Sequence, residues 1–174
     1  MIDPGQAFGT GGHASTRLCL QLLLELAARE RRAGPLLDIG TGSGVLAVAA
    51  ARLGFAPVLG LDNERASVEA ARMNATANGV AIEVREFDLR GAERLPTVEP
   101  PGGEGSTVVL ANLLRPLLLE LARTMRYPPA HLLAGGLLGQ EVDEVCAAFA
   151  DRLGLRERTR LESGEWAAVW LVAT

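Results

Sequence analysis

Short apolar runs alternate with amphipathic stretches along most of the chain, the signature of repeated strand–helix–strand units and a largely parallel sheet. Ala14 to Arg32 carries Leu18, Leu22, Leu23 and Leu26 at helical spacing, which predicts a first helix with one buried face. Leu36 to Ile39 reads as a strand and Val45 to Leu53 as the helix after it. A second strand over Val58 to Leu61 leads into a helix from Glu64 to Ala77, which Asn78-Gly79 terminates. Ile82 to Phe87 and Thr107 to Ala111 are the third and fourth strands; Pro96 to Gly105 between them, dense in proline and glycine, reads as a loop. A helix over Pro116 to Met125 and a fifth strand over His131 to Ala134 follow. After a helix from Glu141 to Leu153, the closing strands are Leu155 to Arg160 and Trp166 to Val172. Only Leu161 to Glu165 joins them, too short for a crossover, so this pair is expected to be antiparallel.

At 174 residues the chain suits a single domain with a sizeable core. Aromatics are only 4%, so that core is expected to consist of Leu, Val and Ala. The net charge of −4, from 17 basic and 21 acidic residues without a basic block, disfavours a direct grip on nucleic acid. Cys19 and Cys146 lie in apolar helical contexts without metal-ligand spacing. They are expected to act as small buried hydrophobes, which suits a reducing compartment. No run reaches membrane-spanning length, and the expectation is a cytoplasmic monomer with no membrane partner.

Candidate chemistry concentrates in Leu36-Leu37-Asp38-Ile39-Gly40-Thr41-Gly42-Ser43-Gly44 and, beyond the next helix, Asp62. A strand runs into a glycine-rich turn, a helix begins, and an acid closes the following strand. That layout builds a nucleoside-cofactor pocket at the carboxyl end of a parallel sheet. Asp62 is placed to accept hydrogen bonds from ribose hydroxyls; its plainer role is to cap the helix that follows. The spacing Gly40-x-Gly42-x-Gly44 departs from the G-x-G-x-x-G of dinucleotide sites, because its third glycine comes one residue early. Such sites seat a pyrophosphate on the helix N-terminus, and Asp38 would repel one. An acid before the first glycine suits a cationic cofactor, S-adenosyl-L-methionine (SAM), with its sulfonium and ammonium; the alternative for Asp38 is a buried acid held by backbone amides. Asp88, in Glu86-Phe87-Asp88, either reaches the adenine amino group or caps a turn. A mostly parallel seven-stranded sheet ending in an antiparallel hairpin is the Rossmann-like α/β three-layer sandwich of class I SAM-dependent methyltransferases, which the chain resembles.

The leader Asp3-Pro4-Gly5-Gln6-Ala7-Phe8-Gly9-Thr10-Gly11-Gly12-His13-Ala14-Ser15-Thr16 is too unusual for generic sequence. It resembles the signature of the PrmA family, the bacterial ribosomal protein L-eleven methyltransferases. The match continues through Leu37 to Ala47, Val109 to Leu117, Gly136-Leu137-Leu138 with Gln140, and Glu165-Trp166. The resemblance implies that Thr16, Gly40, Asp62 and Asn112 contact the cofactor and that Phe8 lies in a glycine-rich flap, residues 1–16, over its methionine moiety. The chain departs from the family at Ala14-Ser15, where one of two usual threonines is replaced, and at Thr41, where Cys is common. Family members also carry an N-terminal substrate-recognition domain, which is expected to be absent here, leaving residues 1–174 as one methyltransferase domain.

The implied activity is methylation of protein amines, a lysine side chain or an N-terminal amine, with ribosomal protein L-eleven as the implied substrate. Asn112 is the candidate catalytic residue, able to accept an amine N–H and aim the nitrogen lone pair. Leu113-Leu114-Arg115 follows it without the aromatic that stacks a planar base, which favours a flexible aliphatic amine over a flipped nucleotide. Two readings compete: a methyltransferase for another protein or a small-molecule amine, and a non-catalytic module that keeps the cofactor fold. His13 is read as packing or capping the first helix in preference to acting as a general base, and His131 as structural. Trp166 and Trp170 are read as one sheet-packing face; Arg29, Arg31 and Arg32 as a solvated helix end.

Overall fold

Leu36–Ile39 (β1) is buried along its whole length and forms the middle of the sheet. It pairs in parallel with Val58–Asp62 (β2) on one side and Val108–Asn112 (β4) on the other. Glu83–Glu86 (β3) lies beyond β2, and His131–Leu138 (β5) beyond β4, both parallel. Trp166–Val172 (β7) runs antiparallel to β5, and Arg156–Ser163 (β6) antiparallel to β7, giving seven strands in the order β3-β2-β1-β4-β5-β7-β6. The computed structural model describes residues 13–29, 34–96, 98 and 107–173. Residues 1–12, Phe8 among them, with Arg31, Arg32 and most of the loop from Pro96 to Gly105, lie outside them.

The hairpin order follows from composition. Trp166–Val172 is apolar enough to be covered on both faces, whereas Arg156–Ser163 alternates charges and suits an edge, where charge blocks pairing with another chain.

Alternation along each strand sends neighbouring residues to opposite faces. Ala14–Arg29 (α1) and Val45–Arg52 (α2) cover one face, where Leu18, Leu22, Leu23, Leu26 and Leu46 meet Leu36, Val108, Leu110, Leu133 and Trp170. Arg115–Thr124 (α4) and Val142–Leu153 (α5) cover the other, where Leu118, Leu121, Val145 and Phe149 meet Leu37, Ile39, Val109, Ala111 and Leu132. Arg65–Ala77 (α3) packs Val68 and Ala71 against Val84 of β3. Asp38 and Asn112 therefore face the α1 side, at the carboxyl ends of adjacent strands.

The structure corrects several predicted boundaries. Glu64 is the N-cap of α3 and not part of it, and the third strand is shorter than Ile82 to Phe87. β6 continues to Ser163, so the closing turn is only Gly164-Glu165. The largest difference is β5, expected to stop at Ala134 but extending to Leu138 through a register shift between Ala134 and Leu137. Gly135-Gly136 forms a bulge whose lack of side chains other groups need. A side chain at Gly135 would collide with Cys19, and one at Gly136 would meet the Leu113 carbonyl oxygen at 2.6 Å. No described helix is long and apolar enough to cross a membrane.

Candidate functional site

After β1 the chain turns through Gly40, Gly42 and Gly44, with φ of 73°, 54° and 80°. At Gly44 this left-handed conformation starts α2, and a Cβ there would sit 2.9 Å from Cβ of Ala71 in α3. The loop's amides are engaged internally. Gly40 and Thr41 donate to the Leu61 carbonyl at 2.8 and 2.9 Å, Gly42 donates to Asp62 Oδ2 at 2.9 Å, and Gly44 donates to the Thr41 carbonyl at 2.8 Å. These N–H groups are not available as the phosphate cradle of a dinucleotide site.

Asp62 closes β2 and fixes two segments, since its Oδ1 also accepts the Glu64 amide at 3.0 Å. An ionised carboxylate offers about four lone-pair sites, so capping the turn into α3 leaves acceptor capacity over. The adjoining cleft is lined by Gly40, Asp62, Phe87, Asp88, Leu89 and Leu113. It joins two carboxylates to apolar walls, as a nucleoside requires at its edge and faces. Asp88 accepts the Arg90 amide at 2.9 Å and also lines this cleft, so the turn-capping role and the cleft position coexist. Leu113, which the sequence groups with the substrate side of Asn112, instead lines the cleft beside Asp62 and presses on Gly40.

On the α1 face, Thr41 Oγ1 donates to Asp38 Oδ2 at 2.7 Å, while Asp38 Oδ1 is buried with no hydrogen-bond partner among the described residues. Burial pushes the Asp38 carboxyl up to about 7 against the Thr41 hydrogen bond; the Asp62 charge raises it further and the Ala47 amide opposes. The folded carboxyl thus holds its proton where the unfolded one, at 3.8, has lost it. Stability of the unliganded protein is expected to fall as pH rises from about 4 to about 7, and Asp38→Asn to remove that component. Denaturant titrations at about pH 5 and about pH 7.5 test it; an identical pH dependence in both proteins refutes it.

Asn112 closes β4, and its Nδ2 donates to Oγ1 of Thr16, buried in the first turn of α1, at 3.2 Å. Asn112 Oδ1 is buried and has no hydrogen-bond partner among the described residues. Two residues 96 positions apart in the chain are thus in contact. His13 Nδ1 lies 2.9 Å from Ser15 Oγ, and the Arg17 amide donates to the His13 carbonyl at 3.2 Å, so His13 caps α1 as expected. Its ring also meets Trp166 edge-on at 4.7 Å between centroids. Sequence reasoning missed that contact, having assigned Trp166 to sheet packing alone. His131 accepts from Trp170 Nε1 at 3.3 Å and is structural, and Arg29 pairs with Glu25 at 2.8 Å on the surface. Cys19 is buried and Cys146 half-buried; burial pushes both thiols up to about 12.

Residues 1–174 match the family model described as "Ribosomal protein L11 methyltransferase (PrmA)". The chain is 42% identical over 173 residues to a ribosomal protein L11 methyltransferase of Syntrophotalea carbinolica, covering 97% of this chain and 53% of that protein. It is 37% identical over 175 residues to the one of Escherichia coli, covering 97% and 54%. It therefore spans about half the length of the curated relatives it matches. The crystal structure of a ribosomal protein L11 methylase from Lactobacillus delbrueckii subsp. bulgaricus aligns with a TM-score of 0.79 at 26% identity, over 99% of this chain and 84% of that one. A Thermus thermophilus 16S rRNA methyltransferase in complex with AdoMet and guanosine shares the fold, with a TM-score of 0.68 at 18% identity, over 97% of this chain and 45% of that one. Matched from its first residue to its last, the chain belongs to the PrmA family of ribosomal protein L11 methyltransferases.

Proposed function

We propose that this domain transfers methyl groups from SAM to amines of a protein, lysine side chains or a terminal amine, with ribosomal protein L11 as the substrate. The observation that carries this reading is a pair of buried oxygens without partners among the described residues, Asp38 Oδ1 and Asn112 Oδ1, on one sheet face at neighbouring strand ends. Buried acceptors without donors are costly; a cofactor bearing an ammonium and a sulfonium would answer Asp38, and the N–H of a substrate amine would answer Asn112. Asp38 and Thr16 would hold the amino-acid end of SAM, with Phe8 over it. Gly40, Gly42 and Gly44 shape the turn beside it. Asp62 would accept from the ribose hydroxyls, and Asp88 with Leu113 and Leu117 would hold the adenine. When bound, SAM supplies an electrophilic methyl group and leaves as S-adenosylhomocysteine.

The protein's task is alignment. A lysine of pKa about 10.4 is neutral in only about one molecule in a thousand near neutral pH. Enclosure beside a positive centre disfavours its ammonium form, by desolvation and by like charge. Asn112 Oδ1 then accepts one N–H of the neutral amine and aims its lone pair, and water carries the proton away. The chain's net charge of −4 and the leucines after Asn112 favour a protein amine over a nucleic-acid base. A ribosomal protein substrate places this work in the cytoplasm.

The test is methyl transfer from labelled SAM to ribosomal proteins of cells lacking the modification, resolved on a gel. A labelled L11 band is expected. Label on a different band rejects L11 as the substrate, and label on none rejects the activity of this domain.

A further inference from the structure

Arg115 opens α4, where the partial positive charge of a helix N-terminus disfavours a cation. The groups around it account for its place. Its Nη1 donates to Glu144 Oε2 at 2.6 Å, and its Nε lies 3.5 Å from Glu141 Oε1. Glu141 in turn accepts the Leu138 amide at 2.9 Å through its other oxygen. One carboxylate thus joins the end of β5 to the Arg115 side chain. On the backbone side, Leu113 donates its amide to the Gly135 carbonyl at 3.1 Å. The segment from Asn112 to Arg115 is therefore seated on the β5 bulge and tied to the turn that follows it.

We propose that Arg115 is a positioning residue: by pairing with Glu141 and Glu144 it fixes the segment that follows Asn112 at the end of β4 and so places the Asn112 carboxamide. This rests on the methyl-transfer reading of the site. The side chains of Arg115 and Glu144 are 39% and 53% exposed, so their pairing contributes little to global stability. Its effect falls on alignment, where a displacement of about 1 Å costs on the order of a hundredfold in rate. A guanidinium suits the place because it reaches two carboxylates from a rigid plane, which an ammonium does less well.

The test compares the wild-type protein with Arg115→Ala, Arg115→Lys and Glu141→Gln. It measures kcat, the KM for SAM, Tm, and hydrogen exchange of the Leu113 amide. In Arg115→Ala, kcat is expected to fall about tenfold with KM for SAM within about twofold and Tm little changed. Leu113 exchange should quicken about tenfold, and Arg115→Lys should recover part of both losses. Glu141→Gln should fall between Arg115→Ala and wild type. Unchanged Leu113 exchange in Arg115→Ala overturns the proposal. So does faster exchange with an unchanged kcat, because the loop then moves without consequence, and so does a loss confined to KM. If the wild-type protein transfers no methyl at all, the proposed function fails on that result alone, and Leu113 exchange still decides whether Arg115 holds the loop.

Discussion

Asn112→Ala is expected to lower kcat on the order of a hundredfold while changing SAM affinity by less than about tenfold. The substitution removes the side-chain oxygen at the end of β4 that has no partner among the described residues and can take an amine N–H. It also removes the hydrogen bond to Thr16, so some loss of cofactor affinity follows. Stability should change little, because one hydrogen bond disappears together with one unsatisfied buried oxygen. The rate loss would then not reflect unfolding. Asn112→Asp sharpens the comparison. It keeps an acceptor in the same place but adds a negative charge that favours the ammonium form of the incoming amine. Its rate should be low at neutral pH and recover as pH rises. Single-turnover methylation and calorimetric SAM titration on all three proteins separate the two effects. Turnover unchanged in Asn112→Ala removes Asn112 from the mechanism; equal losses in affinity and turnover make it a cofactor ligand only.

The sequence made the main axis of this site legible because glycine and acid spacing follow local rules. A turn with three left-handed glycines between strand and helix, and an acid closing the next strand, describe a pocket without any tertiary information. Asp38, Asp62, Asp88 and Asn112 all lie at the carboxyl edge where that reasoning placed them. Contacts between distant segments were not legible in this way. Nothing local to Trp166 shows that it meets His13, and nothing local to Leu113 shows that it turns toward the cleft beside Asp62. Arg115 was not legible either: the helix is expected to begin at Pro116, so the cation in its first turn, with Glu141 and Glu144 as partners, emerges only from the fold. A cation there breaks a local rule, and such violations are expected where function or a compensating contact requires them. The fifth strand, expected to end at Ala134, continues to Leu138 because a bulge carries it past Gly135-Gly136 against β7, a contact made far along the chain.

Gly136→Ala should show how strongly that bulge governs both fold and site. Two costs coincide at this position. With φ of 79°, any residue other than glycine carries left-handed strain, on the order of 1–3 kcal/mol. The added methyl would also sit 2.6 Å from the Leu113 carbonyl oxygen, a backbone atom that yields only if the loop after Asn112 moves, for roughly another 1–3 kcal/mol. A combined loss of about 3–4 kcal/mol lowers Tm by about 10 °C in a domain of this size. Gly164→Ala is the matched control: its φ is 62°, and a Cβ there meets nothing within 4 Å. It should lose only the strain, about 1 kcal/mol, and keep its kcat. Gly136→Ala should also lose kcat at temperatures where it remains folded, because relief of the clash displaces Leu113 and with it Asn112. Equal thermal losses in the two variants, followed by circular dichroism, would mean that Leu113 yields freely. The bulge would then not constrain the segment that follows Asn112.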